Sequence, residues 1–185
     1  MRAATAALLC WLPYVVAADL NFQVSALDGA SIPFAELRGE KVTVVLFLST
    51  KCPISQAYQQ RVNRLYRDFS SRTGLKFTIL NANANEPVSE IQQSIRDGGL
   101  AFPVYKDFNN RAADAFDAQT TPEAFVLDSK GVVRYHGAID DATNEARVKN
   151  HALRNAIEAL LAGKAPATSE LKAFGCVLKR AKRTS

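Results

Sequence analysis

Cys52 is the residue best placed to do chemistry. It stands in Val42-Thr-Val-Val-Leu-Phe-Leu-Ser-Thr-Lys-Cys52-Pro-Ile-Ser55, after an apolar β-type run and before a helix-type pattern. A thiol there meets the unpaired N–H groups and the positive end of a helix dipole, both of which favour an anion. Pro53 suits the first helical turn, where its missing N–H is not needed. Lys51 adds a neighbouring cation. The thiolate is the form that attacks disulfides and peroxides or binds soft metals. The competing reading is a buried structural cysteine, which the strand–Cys-Pro–helix context disfavours.

The elements that must position this thiol follow from the patterning. Asn21 to Ser25 reads as a short strand, Asp28-Gly29 as a turn, and Ile32 to Leu37 as a compact turn before Gly39. Lys41 to Leu48 is an apolar, β-branched run of the kind a buried parallel strand shows. Ile54, Tyr58, Val62, Leu65, Tyr66 and Phe69 form a helical stripe over Pro53 to Phe69, closed at Gly74. Leu75 to Leu80 is the next strand. Glu86-Pro87 opens a helix through Ile91 and Ile95 to Gly98-Gly99, and Phe102 to Tyr105 is a short extended piece. Asn109 to Phe116 reads as a helix, and Thr120-Thr121-Pro122 leads into the strand Ala124 to Leu127. Asp128 to Gly131 is a hairpin turn and Val132 to His136 its return strand. Arg147 to Leu161 is expected as a final amphipathic helix. Strands alternating with helices predict an α/β fold: a mixed sheet covered by helices, with the first two strands of the alternation parallel.

The chain has 185 residues, 48% of them hydrophobic, enough for one domain with a core. Arg2, the apolar stretch Ala3 to Ala17 and the small residues before Asp19 read as a signal peptide over 1–18, too short for a membrane span. Export is therefore expected, to the periplasm or the outside of the cell. Past that segment the cysteines are Cys52 and Cys176, a pair that an oxidising compartment permits, without requiring, to form a disulfide. The formal charge of +5 is concentrated in the C-terminal tail, residues 163–185. There Lys164, Lys172, Lys179, Arg180, Lys182 and Arg183 face only Glu170, which leaves 19–162 nearly neutral. The charges show no aromatic interleaving of the kind that would support nucleic-acid binding, so a solvated end is expected. Ala173-Phe-Gly-Cys176-Val-Leu178 is an apolar island in this tail, and its simplest docking target is its own domain.

Phe47 to Ser55, Thr121-Pro122-Glu123, Ala124-Phe-Val-Leu-Asp128, Lys130-Gly131 and Val132 to Gly137 together resemble the thioredoxin-like superfamily, in its redoxin and exported thiol–disulfide oxidoreductase branch. The likeness in element order spans about residues 20–162. It implies a thioredoxin-like fold with an N-terminal extension and an irregular C-terminal tail. It also implies a cis-proline lying against the active-site cysteine, which falls on Pro122; the alternative for Pro122 is an ordinary edge-strand proline. Where the family has Cys-x-x-Cys, this chain has Cys52-Pro-Ile-Ser55. A serine cannot resolve a mixed disulfide, but its hydroxyl can hydrogen-bond a thiolate. Cys176 is then the candidate resolving thiol, or else a buried bystander. The peroxiredoxin branch fits in part: Ser49 stands at its threonine and Val45 at its proline, and its arginine near Pro122 is missing, with Arg134 a substitute that the sequence does not place.

The resemblance implies a thiol-based redox protein, exchanging disulfides or reducing peroxides, with Cys52 as nucleophile and the thiols or disulfides of proteins or small molecules as partners. No cofactor, nucleic acid or membrane span is implied. A soft-metal module is the first alternative, because related copper chaperones use two cysteines and a distant histidine; Cys52, Cys176, His136 and His151 are the candidates. The family spacing Cys-x-x-x-Cys is absent, since Gln56 occupies that place. A binding domain that has lost its chemistry is the second alternative.

Overall fold

A computed structural model describes residues 19–98 and 100–182; the expected signal peptide over 1–18 and Gly99 lie outside the described residues. In chain order the strands are β1 (Gln23–Ala26), β2 (Ser31–Pro33), β3 (Val42–Phe47), β4 (Leu75–Asn81), β5 (Val104–Lys106), β6 (Thr120–Thr121), β7 (Glu123–Asp128), β8 (Val133–Gly137), β9 (Glu170–Leu171) and β10 (Cys176–Val177). The helices are α1 (Pro53–Phe69), α2 (Val88–Gly98), α3 (Arg111–Ala115) and α4 (Ala152–Leu161).

Every residue of β3 is buried, because the strand runs through the middle of the sheet with both faces covered. Its side chains alternate between faces. Val42, Val44 and Leu46 join Tyr58, Val62 and Leu65 of α1 and Leu153 and Ile157 of α4 in one core. Val45 and Phe47 join Phe22, Phe34, Phe116 and Phe125 in a second, aromatic core on the other face. The sheet order is β2–β1–β5–β4–β3–β7–β8–β9, with β6 and β10 paired separately. β3 runs parallel to β4 and antiparallel to β7. α1 connects β3 to β4, so its N-terminus and Cys52 sit at the carboxyl end of the central strand, where α/β sheets commonly place their sites.

One expectation is revised. The last helix starts at Ala152, not Arg147. Asn144 instead caps a short turn at Glu145–Arg147. The segment after it bonds to the loop beyond β8: Lys149 N–H donates to Asp141 Oδ1 at 2.9 Å and Leu153 N–H to the Ile139 carbonyl at 3.1 Å. Loop partners thus take the backbone groups that one more helical turn would have used. Among its described residues the C-terminal tail holds no helix, in line with its irregular sequence, and it docks on its own domain, as its apolar island suggests. β9 pairs in parallel with β8, and β10 pairs antiparallel with β6. Gly137 makes the first joint feasible: its φ is +127°, and a Cβ there would lie 1.8 Å from the Leu171 carbonyl oxygen.

Candidate active site

Cys52 occupies the N-cap of α1 with extended backbone, and Pro53 follows in the first turn. The preceding loop is held from below by a buried polar assembly. Ser49 Oγ accepts the Cys52 N–H at 3.0 Å and the Lys51 N–H at 3.2 Å, and donates its own proton to the Glu86 carboxylate. Glu86 also accepts the Thr50 N–H, the Thr50 hydroxyl and the Asn81 amide, each at 2.7 Å. Lys106, only 3% exposed, donates to Asn81 Oδ1 and to the carbonyls of Asn83 and Glu86. Burial pushes the Glu86 carboxyl up, but the hydrogen bonds from Ser49, Thr50 and Asn81 outweigh it and hold the group below the usual carboxylate value. Burial pushes the Lys106 ammonium down, against the opposing pull of Glu86 and Asp107.

Above Cys52 lies the loop before β7. The Thr121–Pro122 peptide bond is cis, and the Thr121 carbonyl oxygen lies 3.1 Å from Cys52 Sγ. Glu123, 7% exposed, turns back to accept the N–H groups of Gln119 at 2.8 Å and Thr120 at 2.9 Å, which fixes this loop.

The tail completes the site. Cys176 forms a disulfide with Cys52, with the Cα atoms 5.9 Å apart. β10 places Cys176 opposite Thr121 and Val177 opposite Thr120. Leu178 N–H donates to the Gln119 carbonyl at 2.9 Å. Phe174 packs against the first core, its ring 6.2 Å from that of Tyr58, while Leu178 is buried in the aromatic core. The tail therefore crosses the sheet edge with an anchor on either side of its cysteine.

Cys52, Pro122 and Cys176 are thus brought together. Ser55 is buried close by, but its hydroxyl accepts the Ser49 N–H at 3.3 Å; among the hydrogen bonds of the described residues it makes none to the sulfur. Lys51 turns away as well, since Nζ pairs with Glu90 at 2.8 Å and donates to the Asn85 carbonyl. Its charge is spent outside the site, so the helix terminus and the Ser49-ordered loop remain as the local features around Cys52. Arg134 is tied to Asp128 at 2.7 Å on the β7–β8 hairpin. His136 stacks on Phe125 and faces Glu170, and His151 stands at the N-cap position of α4 without a side-chain capping bond. With both sulfurs bonded to each other, this arrangement does not favour the soft-metal alternative, and no group of three metal-ligating residues occurs among the described residues.

Ser49 is legible in the sequence only as a counterpart of the peroxiredoxin threonine, and Glu86, Lys106 and Glu123 carry no motif of their own that marks them as site residues. The polar run Asn81-Ala-Asn83-Ala-Asn85-Glu86 directly after an apolar strand was the available signal, because polar residues at the carboxyl end of a central strand face the site.

The strand order, the helices on both faces and the approach of the Thr121 carbonyl, at the cis Thr121–Pro122 bond, to Cys52 define a thioredoxin-like protein. Residues 16–136 match the AhpC/TSA family, so the chain belongs to that family. The thiol-disulfide oxidoreductase ResA of Halalkalibacterium halodurans is 30% identical over 118 residues, covering 63% of this chain and 65% of the relative. ResA of Bacillus subtilis is 27% identical over 114 residues, 61% of each chain. The chain thus spans less than two thirds of the length of these relatives. Among solved structures, a hypothetical protein of Sinorhizobium meliloti superposes with TM-score 0.81 at 26% identity, covering 92% of this chain and 96% of that one. A secreted Mycobacterium tuberculosis disulfide oxidoreductase shares the fold at TM-score 0.57 and 17% identity, over 78% of this chain and 96% of that one. No described helix is long and apolar enough to cross a membrane.

Proposed function

We propose that this protein is an exported thiol–disulfide oxidoreductase in which Cys52 is the nucleophile and Cys176 the resolving thiol. The observation that carries this reading is the disulfide between a helix-capping cysteine and a tail cysteine 124 residues away. Cys52 attacks a substrate disulfide, forming a mixed disulfide and releasing one substrate thiolate. Cys176 then attacks Cys52 Sγ, the Cys52–Cys176 bond forms, and the second substrate thiolate leaves. The substrate gains two electrons, and an external dithiol returns them to the protein. Pro122 positions the Thr121 carbonyl against the sulfur, and Ser55 supports the Ser49 backbone.

The ResA likeness supports disulfide exchange. So does the place of Arg134, which pairs with Asp128 beside Val42, at the end of β3 opposite to Cys52. Export is supported by the leader pattern over 1–18 and by a disulfide of a type suited to oxidising compartments. The body, 19–162, carries the nucleophile, and the tail, 163–185, carries the resolving thiol.

The test is single-turnover reaction of the reduced protein with an aromatic disulfide that releases a coloured thiolate. For the chain without residues 1–18, two thiolates are expected in a fast phase for wild type and one fast thiolate for Cys176→Ser, whereas Cys52→Ser should show only the slow release of an ordinary thiol at Cys176. Reaction with peroxide faster than with disulfides would overturn the exchange assignment, and unreactive Cys52 would leave a binding domain.

A further inference from the structure

Residues 175–181 lie across the site in a way that a second polypeptide could reproduce. The tail is held largely by main-chain groups. β10 pairs with β6, Lys179 N–H donates to Asn83 Oδ1 at 2.7 Å, Ala84 N–H donates to the Lys179 carbonyl at 2.7 Å, and Ala181 N–H donates to Asn110 Oδ1 at 2.7 Å. Main-chain pairing of this kind accepts any extended segment, and the side-chain pockets set the choice of sequence.

Those pockets are specific at three positions. A Cβ on Gly175 would lie 2.2 Å from the Thr121 carbonyl oxygen and 3.1 Å from the Pro122 nitrogen, so only glycine passes there. The next residue must be cysteine to meet Cys52. Val177 points outward at 68% exposure and imposes nothing, whereas Leu178 is 5% exposed in the aromatic core.

We propose that the groove formed by Thr120–Thr121, Asn83–Ala84 and Asn110 binds an extended segment of a partner protein with the pattern Gly-Cys-x-apolar, and that residues 175–181 are its resident competitor. This deepens the thiol-exchange reading and rests on it. Reduction of Cys52–Cys176 removes the covalent tie and leaves residues 175–181 held by the two-residue strand pair, its flanking bonds, the buried Leu178 and the Arg180 contacts to Asp114 and the Ala118 carbonyl; a guest strand of the same pattern can replace the main-chain bonds and the apolar anchor. Cys52 attacks the guest's disulfide, a Cys52–guest bond forms, and the guest's former sulfur partner leaves as thiolate. The returning tail takes back the Thr121 edge as Cys176 attacks Cys52 Sγ and the guest thiolate departs. Resolution is thereby a strand exchange as well as a sulfur exchange, and the tail evicts the product it has helped to form.

The probe is the peptide Ala-Phe-Gly-Cys-Val-Leu-Lys-Arg-Ala with its cysteine held as a mixed disulfide with nitrothiobenzoate. Attack at the peptide sulfur releases the coloured thiolate. The reduced full-length chain is expected to react with this peptide about tenfold faster than with versions carrying alanine for the glycine or serine for the leucine. With wild type the peptide thiol then appears free, while with Cys176→Ser the Cys52–peptide adduct persists. Equal rates for the three peptides overturn the proposal; because that series uses the wild-type chain, the result stands even if Cys176→Ser fails to fold. A small aromatic disulfide serves as control. Reaction with it but no peptide preference refutes the groove alone, and no reaction with it refutes the exchange reading beneath.

Discussion

The two bonded sulfurs live in unlike surroundings. Cys52 is 1% exposed, capped on a long helix and backed by the Ser49–Glu86–Lys106 assembly. Cys176 sits on a two-residue strand of the basic tail, partly exposed and followed by the outward-facing Val177. The difference assigns the chemistry. On the proposed roles, an incoming thiol is expected to reach the partly exposed Cys176 more readily, and the sulfur it displaces would be the one at a helix N-terminus, where a thiolate is the better-stabilised leaving group. Cys52 would thus be released in the form that the proposed cycle uses next.

The most severe way to break the asymmetry is to exchange the roles. Cys52→Ser is expected to abolish fast disulfide reduction, whereas Cys176→Ser retains one stoichiometric burst and loses turnover, as stopped-flow thiolate release would record. Next comes the bond itself. Closing a loop of 124 residues stabilises the folded state by about 5 kcal/mol in the chain-entropy model, so denaturant midpoints should fall markedly on reduction. An unchanged midpoint would mean that the bond restricts the unfolded chain far less than the chain-entropy model requires.

Gly137→Ala probes the tail joint that carries no sulfur. Its positive φ and the Leu171 carbonyl in its way predict a cost of about 1–3 kcal/mol, in both redox states alike. A cost confined to the oxidised protein would show that β9 leaves its place on reduction.

Glu86→Gln sharpens the comparison from below. The exchange weakens the buried bonds under Cys52 at about 1–3 kcal/mol. Because the folded Glu86 carboxyl is held below its ordinary value, its stabilising effect is complete above the unfolded carboxylate range and fades as pH falls through the lower folded value. The gap between wild type and Glu86→Gln should therefore be full at neutral pH and close in acid, as midpoints measured across pH would show. The smallest effect belongs to Val177→Ser, expected within about 0.5 kcal/mol because the side chain is already in solvent.

Much of the scaffold is readable from local signals. Pro53 and the apolar stripe to Phe69 mark both ends of α1, and Asp128 to Gly131 marks the hairpin. These are features whose cause lies within a few residues. The assembly of Ser49, Glu86 and Lys106 is different, since its members come from three separate elements and are polar residues buried only because they satisfy one another. Lys51 misleads for the same reason: its proximity to Cys52 in sequence is real, but Glu90 of α2 claims its charge. The stretch from Arg147 to His151 carries helical periodicity and is unwound by partners around Asp141. The docking of the tail island was foreseeable from its apolar residues; its path was not, because the collisions that demand glycine at 137 and 175 exist only once the strands have met.

The placement of Phe174 in one core and Leu178 in the other has a consequence for cooperativity. The sheet divides the interior into two apolar compartments, and a segment buried in both, with a covalent bond between its anchors, couples their opening. In the oxidised protein the amides of α4 and of the aromatic face should exchange with solvent through a shared event. After reduction the two faces are free to open separately, and the protection of their amides should diverge. The redox state of one bond would then govern whether this chain breathes as one body or as two.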